Sequence, residues 1–207
     1  MLSAFIAGFL LIAVSELGDK TFFIAAILAM RHSRRLIFAA VVAALAAMTV
    51  LSVLVGQVAS LLPPNYIYYA EIVLFIGFGF KLLYDASKMP ANTCDAEVVQ
   101  EAADIVDKAE GHLSQQTNWA ICVEAFVLTF LAEWGDRTQI ATIALAAGNN
   151  PFGVTTGAIL GHALCAAIAV IGGRILAGRI SEQALTIFGG CLFLLFGLVA
   201  CWEGPLS

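Results

Sequence analysis

Charged side chains are scarce in this chain of 207 residues. Asp, Glu, Lys and Arg make up 12% of it and apolar residues 61%, whereas soluble globular proteins carry about 25% charged residues. The formal net charge of −5 provides no basic surface for nucleic acid. The five cysteines are scattered and form no C-x-x-C pair, which argues against a disulfide framework or a thiolate metal site. The composition excludes an ordinary soluble domain and predicts a protein surrounded by a lipid bilayer.

Most of the sequence consists of long apolar stretches. A helix needs roughly 20 apolar residues to cross about 30 Å of hydrocarbon. Barrel strands would alternate over only ~10 residues. The sequence therefore predicts an all-α polytopic membrane protein with six transmembrane helices. They are Leu2–Met30, Leu36–Leu62, Tyr66–Ala86, Trp119–Ala147, Phe152–Ala177 and Gln183–Trp202.

One polar segment, residues 88–118, separates a first group of three spans (1–87) from a second group (119–207). Within it, apolar residues from Val98 to Leu113 recur at helical spacing, and acidic residues occupy the other faces. This pattern predicts a short amphipathic helix with an acidic side. A solvated linker and a regulatory, cation-sensing segment are both compatible with it. Anionic lipid would repel the acidic face, which argues against a helix lying on the membrane.

The basic residues outside the repeated motif described below all lie in or beside the first, third and fifth connections between spans. Cytoplasmic connections are enriched in Lys and Arg. The distribution therefore predicts that both termini are extracytoplasmic and that the linker 88–118 is cytoplasmic. These basic residues are Arg31, Arg34, Arg35, Lys81, Lys88, Lys108, Arg174 and Arg179.

The two halves share a six-residue motif. Glu-Leu-Gly-Asp-Lys-Thr over residues 16–21 recurs as Glu-Trp-Gly-Asp-Arg-Thr over residues 133–138. With one inserted residue, Phe75 in the third span also matches Phe193 in the sixth. Three spans per half is an odd number, so the second copy must cross the membrane in the opposite direction. Such inverted repeats around a shared midplane site are typical of transporters.

Each motif places acidic side chains inside an apolar span, where an ionised group is costly unless it is paired or faces a cavity. On a continuous helix, the two acids and the cation of each motif share one face. If the two helices cross near these residues, four carboxylates and two cations leave two uncompensated negative charges. One divalent cation or two protons neutralise them, which predicts competition between metal and protons. The predicted metal ligands are Glu16, Asp19, Glu133 and Asp136.

Carboxylate and hydroxyl oxygens suit Ca²⁺, Mn²⁺ and Mg²⁺, whereas zinc and copper prefer nitrogen and sulfur. Mg²⁺ keeps most of its waters, so Mn²⁺ or Ca²⁺ is the expected ion. His162 in the fifth span offers either a nitrogen ligand that favours Mn²⁺ or a proton relay. A histidine that is merely hydrogen-bonded inside the bundle is the plainer interpretation. Gln139 is a further candidate to support the site.

Other interpretations of the motif stay open. Glu16–Lys20 and Glu133–Arg137 are also spaced as buried ion pairs that only orient helices. A passive divalent-cation channel would conduct without proton coupling. An exporter of small organic molecules would need an organic pocket. An intramembrane enzyme such as a lipid phosphatase would need a nucleophile, for which Ser15 is the sole candidate, so no enzymatic activity is predicted.

These residues resemble the small cation exchangers marked by a duplicated E-x-G-D-(K/R)-(S/T) motif. That family includes bacterial, cyanobacterial and plastid manganese exporters and Golgi calcium/manganese–proton exchangers. The resemblance covers both motifs and, through the two-half layout, nearly the whole chain. It implies export of Mn²⁺, or of Ca²⁺, from the cytoplasm in exchange for protons. No resident cofactor is predicted. It also implies that the four acids form the ion site, supported by Gly18, Lys20, Thr21, Gly135, Arg137 and Thr138.

The resemblance leaves location and assembly open. The short chain without a targeting segment is similar to prokaryotic members of the family. A cyanobacterial-type protein belongs in the plasma membrane or the thylakoid membrane, and the sequence does not choose between them. A homo-oligomer is also compatible with it.

Overall fold

The structure, a computed structural model, describes residues 1–89, 96–110, 117–176 and 182–204. Every regular element in these ranges is an α-helix, as predicted. Cys94 and the predicted break at Gly178 and Arg179 lie outside the described residues. The helices are α1 Leu2–Ser15, α2 Lys20–Arg31, α3 Arg34–Ala59, α4 Pro64–Lys88, α5 Ala96–Glu110, α6 Asn118–Ala132, α7 Arg137–Gly148, α8 Pro151–Leu176 and α9 Glu182–Glu203.

The first and fourth predicted spans are not continuous helices. The chain leaves the helical conformation over residues 16–19, and α1 and α2 are bent by 69° at this break. A matching break over residues 133–136 separates α6 from α7. The expectation that Glu16 and Asp19 share one face of a continuous helix is therefore wrong, because the backbone turns between them.

Four of the described helices are long and apolar enough to cross a membrane, and the bent pair of α1 and α2 makes a fifth candidate. The α6 helix is apolar but shorter. Large apolar side chains cover the outside of the bundle: Leu54 is 56% exposed, Val73 68% and Phe188 67%. Such a surface is unfavourable in water and suits the hydrocarbon of a bilayer.

Turn chemistry sets where several helices begin. Pro64 opens α4, at a position where its missing N–H costs no hydrogen bond. Before α8, the Asn150 side chain accepts a hydrogen bond from the Gly153 N–H at 2.9 Å. Thr117 caps α6 by accepting from the Ala120 N–H at 3.3 Å.

The two halves of the chain are interleaved. The α8 helix packs on α1 and α2, α3 packs on α6 and α7, and α4 packs on α9. Buried side chains form two apolar cores, the first containing α2 and α6 and the second α1 and α7. Each break therefore carries the chain from one core to the other, and this places both motifs between the cores.

The contact between α1 and α8 depends on glycines spaced four residues apart. A Cβ added to Gly153 would lie 2.7 Å from the Met1 carbonyl oxygen. One added to Gly161 would lie 3.0 Å from the Phe9 carbonyl oxygen. Between them, a Cβ on Gly157 would overlap the carbonyl oxygen of Phe5. Small residues thus let the two helix backbones approach closely, as is common between membrane helices.

Substituting Gly157 with alanine should destabilise the protein by about 1–3 kcal/mol, because the obstructing atom belongs to the backbone and cannot move aside. Thermal unfolding of the detergent-purified protein measures the effect as a lower Tm. Gly77→Ala in α4 is the matched control, since a Cβ there meets nothing within 4 Å. Equal melting temperatures for the two variants would contradict the packing of α1 on α8.

The acidic segment between the halves forms the predicted amphipathic helix, α5, and this helix packs along α2. Ala102 and Val106 are fully buried in the first core. Interpreting the described part of this segment as a merely solvated linker is therefore wrong. Its apolar residues cover a side of α2 that would otherwise be exposed.

Ion pairs fasten α5 to both ends of α2. The Lys20 amine lies 2.5 Å from a Glu101 carboxylate oxygen. Arg31 lies 2.6 Å from Glu110, and His32 Nε2 lies 2.8 Å from the other oxygen of that carboxylate. Burial alone would raise the pKa of Glu110, but hydrogen bonds from His32 and Arg31 hold it below its ordinary value. The two helices therefore run side by side in the same direction.

Because its pKa is lowered, the ionised Glu110 carboxylate stabilises the docking of α5. This contribution is fully present when the pH is above the ordinary pKa of a glutamate, and it is lost as the pH falls through the lowered pKa. Glu110→Gln should reproduce the loss at pH 7 and increase amide hydrogen exchange over residues 96–110. Asp104→Asn is the control, because Asp104 is exposed and forms none of the ion pairs found among the described residues. Similar exchange in the two variants would contradict the proposed anchoring.

Candidate metal site

The first motif forms a tight break between two helices. Glu16 ends α1, and its N–H donates to the Ile12 carbonyl at 2.9 Å. Gly18 has a φ of 84°, a left-handed conformation that other residues adopt only with strain. Asp19 then begins α2 as its N-cap residue, and its carbonyl accepts from the Phe23 N–H at 3.3 Å. The order acid, glycine, acid thus encodes a helix end, a turn and a helix start.

The second motif repeats this geometry. Glu133 ends α6, Gly135 has a φ of 83°, and Asp136 caps α7. The Asp136 carboxylate accepts a hydrogen bond from the Thr138 N–H at 3.4 Å. The Gln139 side chain accepts from the Gly135 N–H at 2.7 Å and so braces the second turn. Similar sequences therefore build similar turns in the two halves.

The fold brings the two breaks together. Glu16 and Glu133 are 2% and 3% exposed, and one carboxylate oxygen each from Glu16, Asp19 and Glu133 lie within 4.8 Å of one another. Asp136 lies outside this close group. The Thr138 hydroxyl lies between Asp136 and Glu133, 3.2 Å from Asp136 Oδ2 and 3.5 Å from Glu133 Oε2. The structure thus places three of the four predicted ligands at one point, with the fourth one hydroxyl group away.

The motif cations do not neutralise the buried glutamates. Lys20 pairs with Glu101 of α5, and Arg137 Nε lies 3.8 Å from Asp136 Oδ1. Interpreting Glu16–Lys20 and Glu133–Arg137 as helix-orienting ion pairs is therefore wrong for this structure. One oxygen of Glu16 has no hydrogen-bond partner among the described residues. Because an unsatisfied buried oxygen costs about 1–3 kcal/mol, and more when it is charged, the cluster needs a cation or protons.

A cavity of about 80 Å³ opens beside the first break. Asp19 and Arg137 contribute its polar lining, and Val98 of α5 and Leu185 of α9 form part of its apolar wall. This volume accommodates several water molecules. It lies against Asp19, one of the clustered acids, on the side where α5 contributes Val98.

Sequence reasoning missed part of the polar surroundings of Glu133. Ser52 on α3 and Thr142 on α7 are 2% and 3% exposed, and together with Thr49 they line a small cavity that reaches Glu133. Their spacing could have predicted this position, because residues three or four apart lie on the same face of a helix. Thr142 follows Thr138 by four residues, and Ser52 follows Thr49 by three. Ser15 gains no catalytic partner, because its buried hydroxyl has no hydrogen bond within the described ranges.

Apolar helices around a buried group of carboxylates are the arrangement of a membrane protein with a candidate cation site. The chain matches the family model described as divalent cation/proton antiporter GDT1 over residues 4–90 and 121–207, so it belongs to the GDT1 family. The matched segments correspond to the two predicted halves. They include both motifs and leave most of the acidic segment unmatched.

Curated relatives support the assignment. GDT1-like protein sll0615 of Synechocystis is 59% identical over 203 residues, covering 98% of each chain. GDT1-like protein 3 of Oryza sativa subsp. indica is 41% identical over 212 residues, covering 100% of this chain and 76% of the relative. GDT1-like protein 2, chloroplastic, of Oryza sativa subsp. japonica is 41% identical over 210 residues, covering 95% of this chain and 60% of the relative. No solved structure matches the chain.

Proposed function

We propose that this protein exports divalent cations from the cytoplasm in exchange for protons, by alternating access at the acidic cluster. Mn²⁺ is the favoured ion and Ca²⁺ the second. The observation that carries the proposal is the meeting of Glu16, Asp19 and Glu133 within 4.8 Å, although they come from two separate breaks. Membership of a family of divalent cation/proton antiporters supports the same activity.

Competition between ions follows from the crowding of the carboxylates. Three carboxylates this close cannot all stay ionised in an apolar bundle without a neutralising cation. A divalent cation and protons therefore exclude each other from the same oxygens. Bound protons leave when the metal arrives, and the reverse exchange returns the site to its first state. Binding at one shared site is sufficient to couple the two fluxes.

We interpret the chain as six spans in two inverted three-helix repeats, counting each broken pair as one span. The path of the helices supports the inversion. The α3 helix starts in the first core with Ile37 and ends in the second with Val53. Its counterpart α8 starts in the second core with Val154 and ends in the first with Val170. Matching helices thus run between the cores in opposite directions.

Alternating access needs a place where each half can bend. The motifs supply it, because each break combines a left-handed glycine with two ion-binding acids. Ion binding and bending therefore involve the same few residues.

With both termini extracytoplasmic, α5 covers the cytoplasmic side. The plasma membrane and the thylakoid membrane are the two candidate locations, and a relative whose name includes "chloroplastic" is compatible with the second.

Replacing Glu16 or Glu133 with glutamine should reduce ion transport by about 100-fold or more, since each substitution removes a charged ligand and a proton-binding group. The measurement is uptake of ⁵⁴Mn²⁺ and ⁴⁵Ca²⁺ into proteoliposomes with an imposed pH gradient. Asp104→Asn on the exposed side of α5 controls for loss of an acidic residue. Size-exclusion profiles confirm folding. If uptake by the parent protein does not depend on the pH gradient, the protein is a passive channel instead.

Lys20→Met tests whether the motif lysine acts on the ion or only fastens α5. If its positive charge tunes the cluster, the variant should change the apparent affinity for Mn²⁺ and its pH dependence, because a nearby cation opposes metal binding. Glu101→Gln removes the same ion pair and keeps the lysine. Identical transport changes in the two variants would show that Lys20 acts through α5 alone.

A further inference from the structure

His162 is buried between the two halves with an unsatisfied ring nitrogen. The residue lies on α8 and is 5% exposed. Its Nδ1 atom has no hydrogen-bond partner among the described residues. Leaving such an atom unpaired costs about 1–3 kcal/mol. The lone pair or proton of this nitrogen is therefore not committed to any other group among the described residues.

Two small cavities lie against His162, and the residue lines both. Each has a volume of about 10 Å³, close to the space of one water molecule or one bare ion. The first reaches Glu133 and the second reaches Glu16. His162 therefore shares one cavity with each of the two buried glutamates.

The two cavities differ in polarity. The cavity with Glu16 is lined mainly by apolar groups, among them Phe22, Val41 and Ala166. Most of the residues that line the cavity with Glu133 carry polar side chains. Its polar lining comprises Met48, Thr49, Ser52, Glu133, Thr138, Gln139, Thr142 and His162. A cation that leaves the carboxylate cluster is thus better accommodated on the Glu133 side.

The imidazole also breaks the symmetry of the repeat. In the register that aligns the two motifs, His162 of α8 corresponds to Leu45 of α3. Leu45 lines both cavities too, so the two equivalent positions face the same space. The site therefore has one nitrogen donor where the sequence repeat provides two equivalent places.

We propose that His162 supplies a nitrogen ligand to the transported ion in the cavity shared with Glu133, and that this ligand makes the protein prefer Mn²⁺ to Ca²⁺. Ca²⁺ binds oxygen ligands almost exclusively, whereas imidazole suits transition metals. Met48 lines the same cavity, but its sulfur accepts a hydrogen bond from Gln139 Nε2 at 3.0 Å, so the assigned nitrogen ligand is His162 alone. The proposal rests on the proposed function, since it assigns selectivity to a residue of the same transport path.

Pulsed electron paramagnetic resonance of Mn²⁺ bound to the purified full-length protein tests the ligand directly. The probe is MnCl₂ alone, and an imidazole on the metal gives modulation of the spin echo by its ¹⁴N nucleus. The parent protein should show this modulation, and His162→Gln should lose it. His32→Gln is the matched control, because His32 is bonded to Glu110 near the cytoplasmic end of α2 and should leave the modulation intact.

Transport selectivity gives an independent measurement. Glutamine keeps a polar side chain and offers oxygen in place of nitrogen, so His162→Gln should lower the ratio of Mn²⁺ to Ca²⁺ uptake by about tenfold, equivalent to 1.4 kcal/mol. The double substitution Leu45→His with His162→Leu places the imidazole at the equivalent position of the other half. It should regain the ¹⁴N modulation.

The outcomes separate this inference from the proposed function. If the parent protein binds and transports Mn²⁺ without ¹⁴N modulation, or if His162→Gln keeps the parental uptake ratio, the assigned role of His162 is overturned and the exchanger stands. If the parent protein neither binds nor transports divalent cations, the proposed function itself fails.

Discussion

The burial of carboxylates in an apolar bundle is the constraint on which the rest of this structure depends. Glu16 and Glu133 are almost completely shielded, and neither is paired with the cation of its own motif. Such groups are tolerated only where something else neutralises them. The fold therefore has to bring acids from distant parts of the chain to one point, where protons or a metal ion can do so.

This constraint explains why two of the predicted spans are broken. An unbroken helix would keep its backbone groups bonded to one another and would hold the two acids of a motif on a fixed face. The left-handed glycines, Gly18 and Gly135, end one helix and allow the next to begin with an aspartate. The turns also link the two apolar cores, so the acids lie where the chain passes from one core to the other.

The acidic segment forms a helix with a defined position against α2, which its sequence pattern alone did not predict. Its charge pattern predicted an amphipathic helix, and α5 has that form. The pattern did not indicate that Glu101 and Glu110 pair with residues at the two ends of α2. Those pairs connect residues about 80 positions apart in the chain, and periodicity within a segment contains no information about partners at that distance.

The sequence by itself determined the helical membrane character, the two halves and the acidic motif, because hydropathy, spacing and repetition are local properties that each segment carries independently. Tertiary structure alone decided that Asp136 stands apart from the other three acids, that Lys20 faces Glu101 and that His162 lines both cavities. These relations depend on how α8 packs against α1 and α3, and on where the backbone bends. Contacts between distant segments form only when the whole bundle closes, so no single stretch of the chain encodes them.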